Sequence, residues 1–181
     1  MKRIFSRFFV LSILGLLSFH TQAQNTFPEG WVGEYQGTLE IIIDKGVVDT
    51  IPVDFVMKEI EKDSVWTYTM SYHSARYGEL VKDYRYVRVR KNDPNHYLFD
   101  ELNGIVMELT LMNDCFYGMY EVSDMYFFNT LRKEGDGLYF ELTMSPGTEP
   151  KLSAAEEEGE TFEAKSYKPN QVQAVHLKRK R

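Results

Sequence analysis

The feature that most limits what this chain can become is a series of short, turn-bounded segments in which apolar and polar residues alternate one for one. Residues 33–43, 50–60 and 64–73 are rich in β-branched and aromatic side chains, which suit a pleated, half-buried surface. Asp44-Lys45-Gly46 and Glu61-Lys62-Asp63 divide them. Segments 83–90, 96–100 and 105–112 follow, with Asp93-Pro94-Asn95 and Asn103-Gly104 between them; the Asn-Gly pair is the strongest hairpin signal in the chain. Segments 115–122, 125–132 and 138–144 complete the series, the last two divided by Gly135-Asp136-Gly137. Strands this closely spaced leave no room for crossover helices, so neighbours are expected to pair antiparallel.

Alternation gives each strand an inside and an outside. Tyr35, Gly37, Leu39 and Ile41 share one face, with Glu34, Gln36, Thr38 and Glu40 on the other. Ile51, Val53, Phe55 and Met57 oppose Asp54 and Lys58; Ile105, Met107, Leu109 and Leu111 oppose Glu108 and Thr110; Leu138, Phe140 and Leu142 oppose Tyr139 and Glu141. Such one-sided burial suits a sheet with its core on one face. About ten antiparallel strands sharing one core need two stacked sheets or closure, and closure removes the exposed edges. The expectation is an all-β, single up-and-down antiparallel barrel of about eight to ten strands, favoured over a sandwich.

One stretch breaks the pattern. Ser153 and Glu156 have capping-box spacing and Gly159 can end a turn, so a short helix around 154–158 competes with an acidic loop. A last strand pair is expected near 161–167 and 172–178, turned at Pro169-Asn170.

The first residues read as an address. Lys2, Arg3 and Arg7 precede a 12-residue apolar run at 8–19 and the small-residue site Thr21-Gln22-Ala23. This is the order of a secretory signal peptide at 1–23, and its helix is shorter than the ~20 residues a membrane span needs. Cleavage after Ala23 would leave a single domain, 24–181, of a size that buries about 70% of its unfolded surface. The protein is expected to be exported, periplasmic or secreted, and monomeric or weakly oligomeric. Cys115 is the only cysteine, so no internal disulfide supports the domain. No cysteine flanks the cleavage site to accept a lipid anchor, and no second apolar run approaches membrane-spanning length.

Charge excludes one partner class. The formal net charge is −6, and losing the three leader cations makes it −9. An acidic body disfavours nucleic acid, which is bound by a basic face. The terminal Lys178-Arg179-Lys180-Arg181 cluster reads as a solvated chain end.

Catalytic signatures are missing. His73, His96 and His176 fall on separate strands without metal-ligand spacing, and a lone cysteine excludes a Cys-rich zinc site. No serine stands in a Gly-x-Ser-x-Gly context. Ser71 and His73 share a strand face at the edge of an expected loop at 74–82, which reads as coincidence. Asp100 and Glu101 are adjacent and so point to opposite faces. A hydrolase is the least favoured reading, and nothing calls for a cofactor or metal.

The aromatic content carries more. Beyond the leader the chain keeps 22 aromatics. Trp66, Tyr68, Met70 and Tyr72 share one face of a strand; Tyr84, Tyr86, Arg88 and Arg90 share one face of the next. Small barrels can hold one ligand inside, and Arg binds carboxylates bidentately. Trp66, Met70, Tyr84, Tyr86 and Arg88 are therefore the candidate lining of a site for a small apolar or amphipathic ligand. The alternative is a filled barrel serving as a cell-envelope interaction module, with its tyrosines at a protein contact.

The opening Gly30-Trp31-Val32-Gly33-Glu34-Tyr35-Gln36-Gly37 resembles the first strand of the calycin superfamily, the lipocalins and their relatives. In lipocalins a Gly-x-Trp motif starts that strand; here the glycine and Trp31 are adjacent. The resemblance implies that Trp31 closes the barrel bottom, with Arg179 as the basic partner from the last strand. The run at 97–105 also resembles a hairpin of small, uncharacterised exported proteins of Bacteroidetes-type bacteria.

Overall fold

A computed structural model describes residues 27–181. The expected signal peptide at 1–23 lies outside the described residues. Thirteen strands form, in chain order β1 (Gly33–Ile43), β2 (Gly46–Met57), β3 (Glu59–Glu61), β4 (Val65–Ser74), β5 (Gly78–Arg90), β6 (Asp93–Asp100), β7 (Val106–Met112), β8 (Cys115–Val122), β9 (Met125–Glu134), β10 (Gly137–Pro146), β11 (Lys151–Glu157), β12 (Glu160–Ser166) and β13 (Gln171–Arg179). From β4 to β10 each strand pairs antiparallel with the next, and β13 joins β10 to β1. The β2–β4 pairing closes the ring, so ten strands make an up-and-down barrel and β3 continues the line of β2 along β4. Closure leaves no barrel strand with an unpaired edge.

Local chemistry sets the corners. Asn113-Asp114 and Ser123-Asp124 each hold two successive positive φ angles, 49° and 55°, then 50° and 58°. That geometry matches the twist of the flanking strands, and Asn and Asp tolerate it better than other residues with a side chain. The tight pairs β7–β8 and β8–β9 follow from it.

The expected faces are the observed ones. Tyr35, Leu39, Ile51, Val53, Phe55, Met57, Met107, Leu109, Leu111, Leu138 and Phe140 all enter the core. The outward positions Glu34, Gln36, Thr38 and Glu40 are exposed. A membrane-spanning barrel has the reverse arrangement, apolar outside. No described helix is long and apolar enough to cross a membrane.

Three expectations are corrected. The expected loop at 74–82 is mostly strand, because Gly78 at φ 78° turns the chain and β5 starts there. The segment around 154–158 is neither helix nor loop. It is β11, paired in register with β12 (Ala155 opposite Phe162, Ser153 opposite Ala164), and Glu158-Gly159 form the turn at φ 51° and 86°. Helix propensity in Ala and Glu is a weak prior that cross-strand pairing overrides. Third, β12 and β13 are not partners, since β13 inserts between β1 and β10 instead. The β11–β12 hairpin forms its own two-stranded sheet, and every residue of it is exposed.

Candidate functional site

Strand direction gives the barrel two unlike ends. At the end where β1 begins, the 27–32 segment folds back under the barrel, with the Trp31 amide donating to Pro28 O at 3.1 Å. Trp31 is fully buried there. Phe27 packs edge-on against Trp66 at 4.7 Å and Phe116 at 5.0 Å, filling the space between ring edges and faces. Arg179 ties this plug to the wall, donating to Val32 O at 2.8 Å, Gly30 O at 2.5 Å and Tyr35 OH at 2.6 Å. Its guanidinium lies 4.8 Å from the Tyr35 ring. A Cβ on Gly33 would meet Arg179 Nη1 at 2.1 Å, so the glycine makes room for the guanidinium. Trp31 therefore closes the bottom as the resemblance implied, while Arg179 stacks on Tyr35 and grips carbonyls beside Trp31. Lys180 pairs with Asp54 at 2.6 Å. The basic terminus is thus fastened to the barrel rather than a solvated end.

Above this floor the other half is open. A cavity of about 480 Å³ is walled by Leu39, Ile41, Ile51, Phe99, Phe140 and Leu142. Tyr68, Tyr72, Tyr84, Tyr120, Asn129 and Gln173 add polar atoms. At the mouth stand Tyr77 and Leu80, both more than half exposed, with Lys82, Glu101 and Ile105. Burial pushes the Tyr72 and Tyr120 hydroxyls up to about 12, with a lesser rise from neighbouring tyrosines at Tyr72; at Tyr120 the Asn129 amide partly offsets it. Burial, and then the nearby tyrosines, holds Tyr68 well above the usual phenol range. These hydroxyls stay neutral across the physiological range and can donate to a guest.

The five sequence candidates all point inward, but at different depths. Tyr84 lines the cavity and stacks over Tyr68 at 6.3 Å. Met70 is fully buried in the wall. Tyr86 lies in the floor against Phe116 at 4.6 Å. Trp66 belongs to the plug beside Phe27. Arg88 lies 5.3 Å from the Trp66 ring and donates to Tyr97 OH at 3.0 Å, so it serves the closed end and is not the cation of the cavity. The cation at the mouth is Lys82, whose Nζ lies 5.9 Å from the Tyr84 ring. Alternation fixed the face of Arg88 but carried no depth, which is why it grouped with Tyr84.

Asn129 is the residue the sequence reasoning missed. Its signal was present: Phe127, Asn129 and Leu131 alternate along β9, placing one amide in an apolar row. Asn129 is 4% exposed.

Outside the barrel, a larger and more open hollow of about 780 Å³ along β1 and β13 gathers Thr38, Asp54, His73, Tyr139 and His176. His73 is held between Glu79 at 2.7 Å and Asp54 at 3.3 Å, and chiefly Glu79 raises its pKa. His176 rests on Glu134 at 2.6 Å and on the Tyr139 ring. Both imidazoles pair with carboxylates. Among the described residues no group of three or more His, Cys, Asp or Glu is placed to hold a metal ion. Burial pushes the Cys115 thiol up, away from the reactive thiolate.

No protein-family model matches the sequence, and no curated protein matches it. Solved structures do. The S-type phycobiliprotein lyase CPES from Guillardia theta superposes with a TM-score of 0.59 at 8% identity, over 84% of this chain and 90% of that one. The two chains share a fold, which in this chain is a closed, ten-stranded antiparallel β-barrel. Rv2717c from M. tuberculosis gives 0.54 at 15% identity over 84% and 94%. A protein of unknown function of the DUF3598 family from Nostoc punctiforme gives 0.53 at 11%, over 83% of this chain and 48% of that one. At such identities the likeness is one of fold.

Proposed function

We propose that this chain is an exported, noncatalytic binding protein that holds a small apolar or amphipathic ligand inside the barrel. The observation that carries the reading is the cavity of about 480 Å³ above a packed floor, within the ~300–1,000 Å³ usual for small-molecule sites. Its walls are apolar and aromatic with a few polar atoms, the pattern such sites share. The phycobiliprotein lyase among the similar structures is compatible with a guest in this fold. Export rests on the leader pattern at 1–23, and the periplasm or the exterior is the expected address. The noncatalytic part rests on the missing nucleophile and metal-ligand motifs of the sequence and on the burial that pushes the Cys115 thiol up.

A second reading, an interaction module of the envelope, draws on the outer face of β8 and β9. There Met119 is 78% and Phe128 42% exposed, directly opposite each other across the pair. That strip would suit a protein partner.

The test is a titration with N-phenyl-1-naphthylamine, a neutral apolar fluorophore, on the wild type and Leu142→Trp. Leu142 lines the cavity and faces Asn129 across the β9–β10 pair, so an indole there projects into the void and obstructs it. Saturable one-to-one binding lost in the folded variant supports a cavity binder. Absence of binding, or equal binding by both proteins, contradicts it.

A further inference from the structure

Among the described residues that line the cavity, Asn129 holds the one fully buried side-chain polar atom without a hydrogen-bond partner. Asn129 sits on the inner face of β9, opposite Leu142 of β10 and Gly118 of β8. The Asn129 amide lies near Tyr120 and partly offsets the burial that raises the Tyr120 pKa, as an N–H turned toward that hydroxyl would. The carbonyl end, Oδ1, is buried and receives no hydrogen bond from any described residue. A buried acceptor left without a donor costs free energy that an apolar side chain of the same shape avoids. Phe127 and Leu131, its neighbours on the same face, show that apolar residues fit this row. The amide is therefore out of place as packing and in place as a recognition group.

Electrostatics narrows what it would recognise. Arg88 and Arg179 are spent at the closed end on Tyr97, Tyr35 and backbone carbonyls. Lys82 stands at the mouth and is exposed. Glu101 lines the same cavity, and its charge bears on Tyr120. A carboxylate brought to Asn129 would meet a carbonyl dipole and a nearby anion with no cation at hand, and a buried unpaired charge is strongly disfavoured.

We infer that the cavity selects an uncharged amphipathic guest whose hydroxyl or amide N–H donates to Asn129 Oδ1, with its apolar part along Leu39, Ile41, Phe140 and Leu142. This deepens the binding reading and rests on it. The alternative orientation, an anionic head group at Lys82 with the tail inward, is the main competitor.

The experiment is displacement of N-phenyl-1-naphthylamine at pH 8 by three matched ligands: 1-decanol, 1-methoxydecane and decanoate. The alcohol carries the donor, the ether lacks it, and decanoate is charged. On the wild type the alcohol should bind about tenfold tighter than the ether, the scale of one buried hydrogen bond, and tighter than decanoate. In Asn129→Leu the alcohol should fall to the level of the ether, with ether affinity unchanged. The wild-type ranking decides by itself if that variant does not fold. Decanoate binding as tightly as the alcohol, alcohol and ether binding alike, or a preference surviving in Asn129→Leu overturns the inference while cavity binding stands. Failure of the fluorophore to bind the wild type overturns the binding reading, and the inference with it.

Discussion

Replacing Arg179 and Gly33 singly and together tests how the closed end is held. Arg179 makes two charge-assisted bonds to the carbonyls of Gly30 and Val32 and stacks on Tyr35. Such bonds contribute about 1.5–3 kcal/mol each, and a stacked cation about 0.5–1 kcal/mol at an exposed site. The guanidinium is only partly buried and the freed carbonyls can rehydrate, so Arg179→Met should cost about 3 kcal/mol, below the plain sum. For a domain of this size that corresponds to a fall in Tm of about 6–12 °C. Gly33→Ala places a methyl 2.1 Å from Nη1, forcing the guanidinium off the Val32 carbonyl, and should cost about 2 kcal/mol by the same scale. The nearest atoms to that methyl all belong to Arg179, so with Met at 179 the alanine meets no clash from it. Urea unfolding of the four proteins should then give a coupling of about 2 kcal/mol, the double variant being hardly worse than Arg179→Met. Additivity within ~0.5 kcal/mol would refute the packing of the guanidinium over Gly33.

Other outcomes follow from the same structure. Leu142→Trp should abolish saturable binding of the neutral fluorophore while far-ultraviolet dichroism stays unchanged, and Asn129→Leu should erase the preference for alcohol over ether. In an alkaline titration followed by phenolate absorbance, Tyr72 and Tyr120 should ionise near 12 and Tyr68 and Tyr86 only on unfolding. These raised values favour the folded state below pH 10, and stability should fall as pH rises from about 10 toward 12, because the unfolded chain releases those protons first. Ionisation of all these tyrosines near 10 in folded protein would contradict their burial. Excision of 151–166 in favour of a short Gly-Ser turn should leave Tm within about 2 °C, since the hairpin pairs only with itself. The anchors Ser145 Oγ to Lys168 O at 2.8 Å and Asn170 N to Met144 O at 2.9 Å remain. A loss of cooperative unfolding would contradict an independent hairpin.

The strands and their faces were legible because a barrel wall with a single core imposes a period of two, and residues such as Leu109 and Glu108 report it directly. Trp31 was legible through its motif. What alternation cannot report is depth along the barrel axis, so Arg88 and Tyr84 grouped together although one sits in the plug and the other at the cavity. Nor does it reach the β11–β12 hairpin, whose faces are equally exposed and leave no hydrophobic signal. Composition alone puts Arg179 in a terminal charge cluster; the resemblance already assigns it to the last strand, and its register opposite Tyr35 agrees. Asn129 was visible as a polar break in an apolar row, a departure from the local rule of the kind that marks functional positions.

Native mass spectrometry of the protein recovered gently from its own cells, beside Leu142→Trp made in the same way, bears most directly on a guest inside the barrel. The expected result is a polypeptide beginning at Gln24, carrying in the wild type a reproducible adduct of a few hundred daltons that denaturation releases, and no adduct in Leu142→Trp. A bare polypeptide in both, or an adduct that Leu142→Trp keeps, would contradict a ligand held in the cavity.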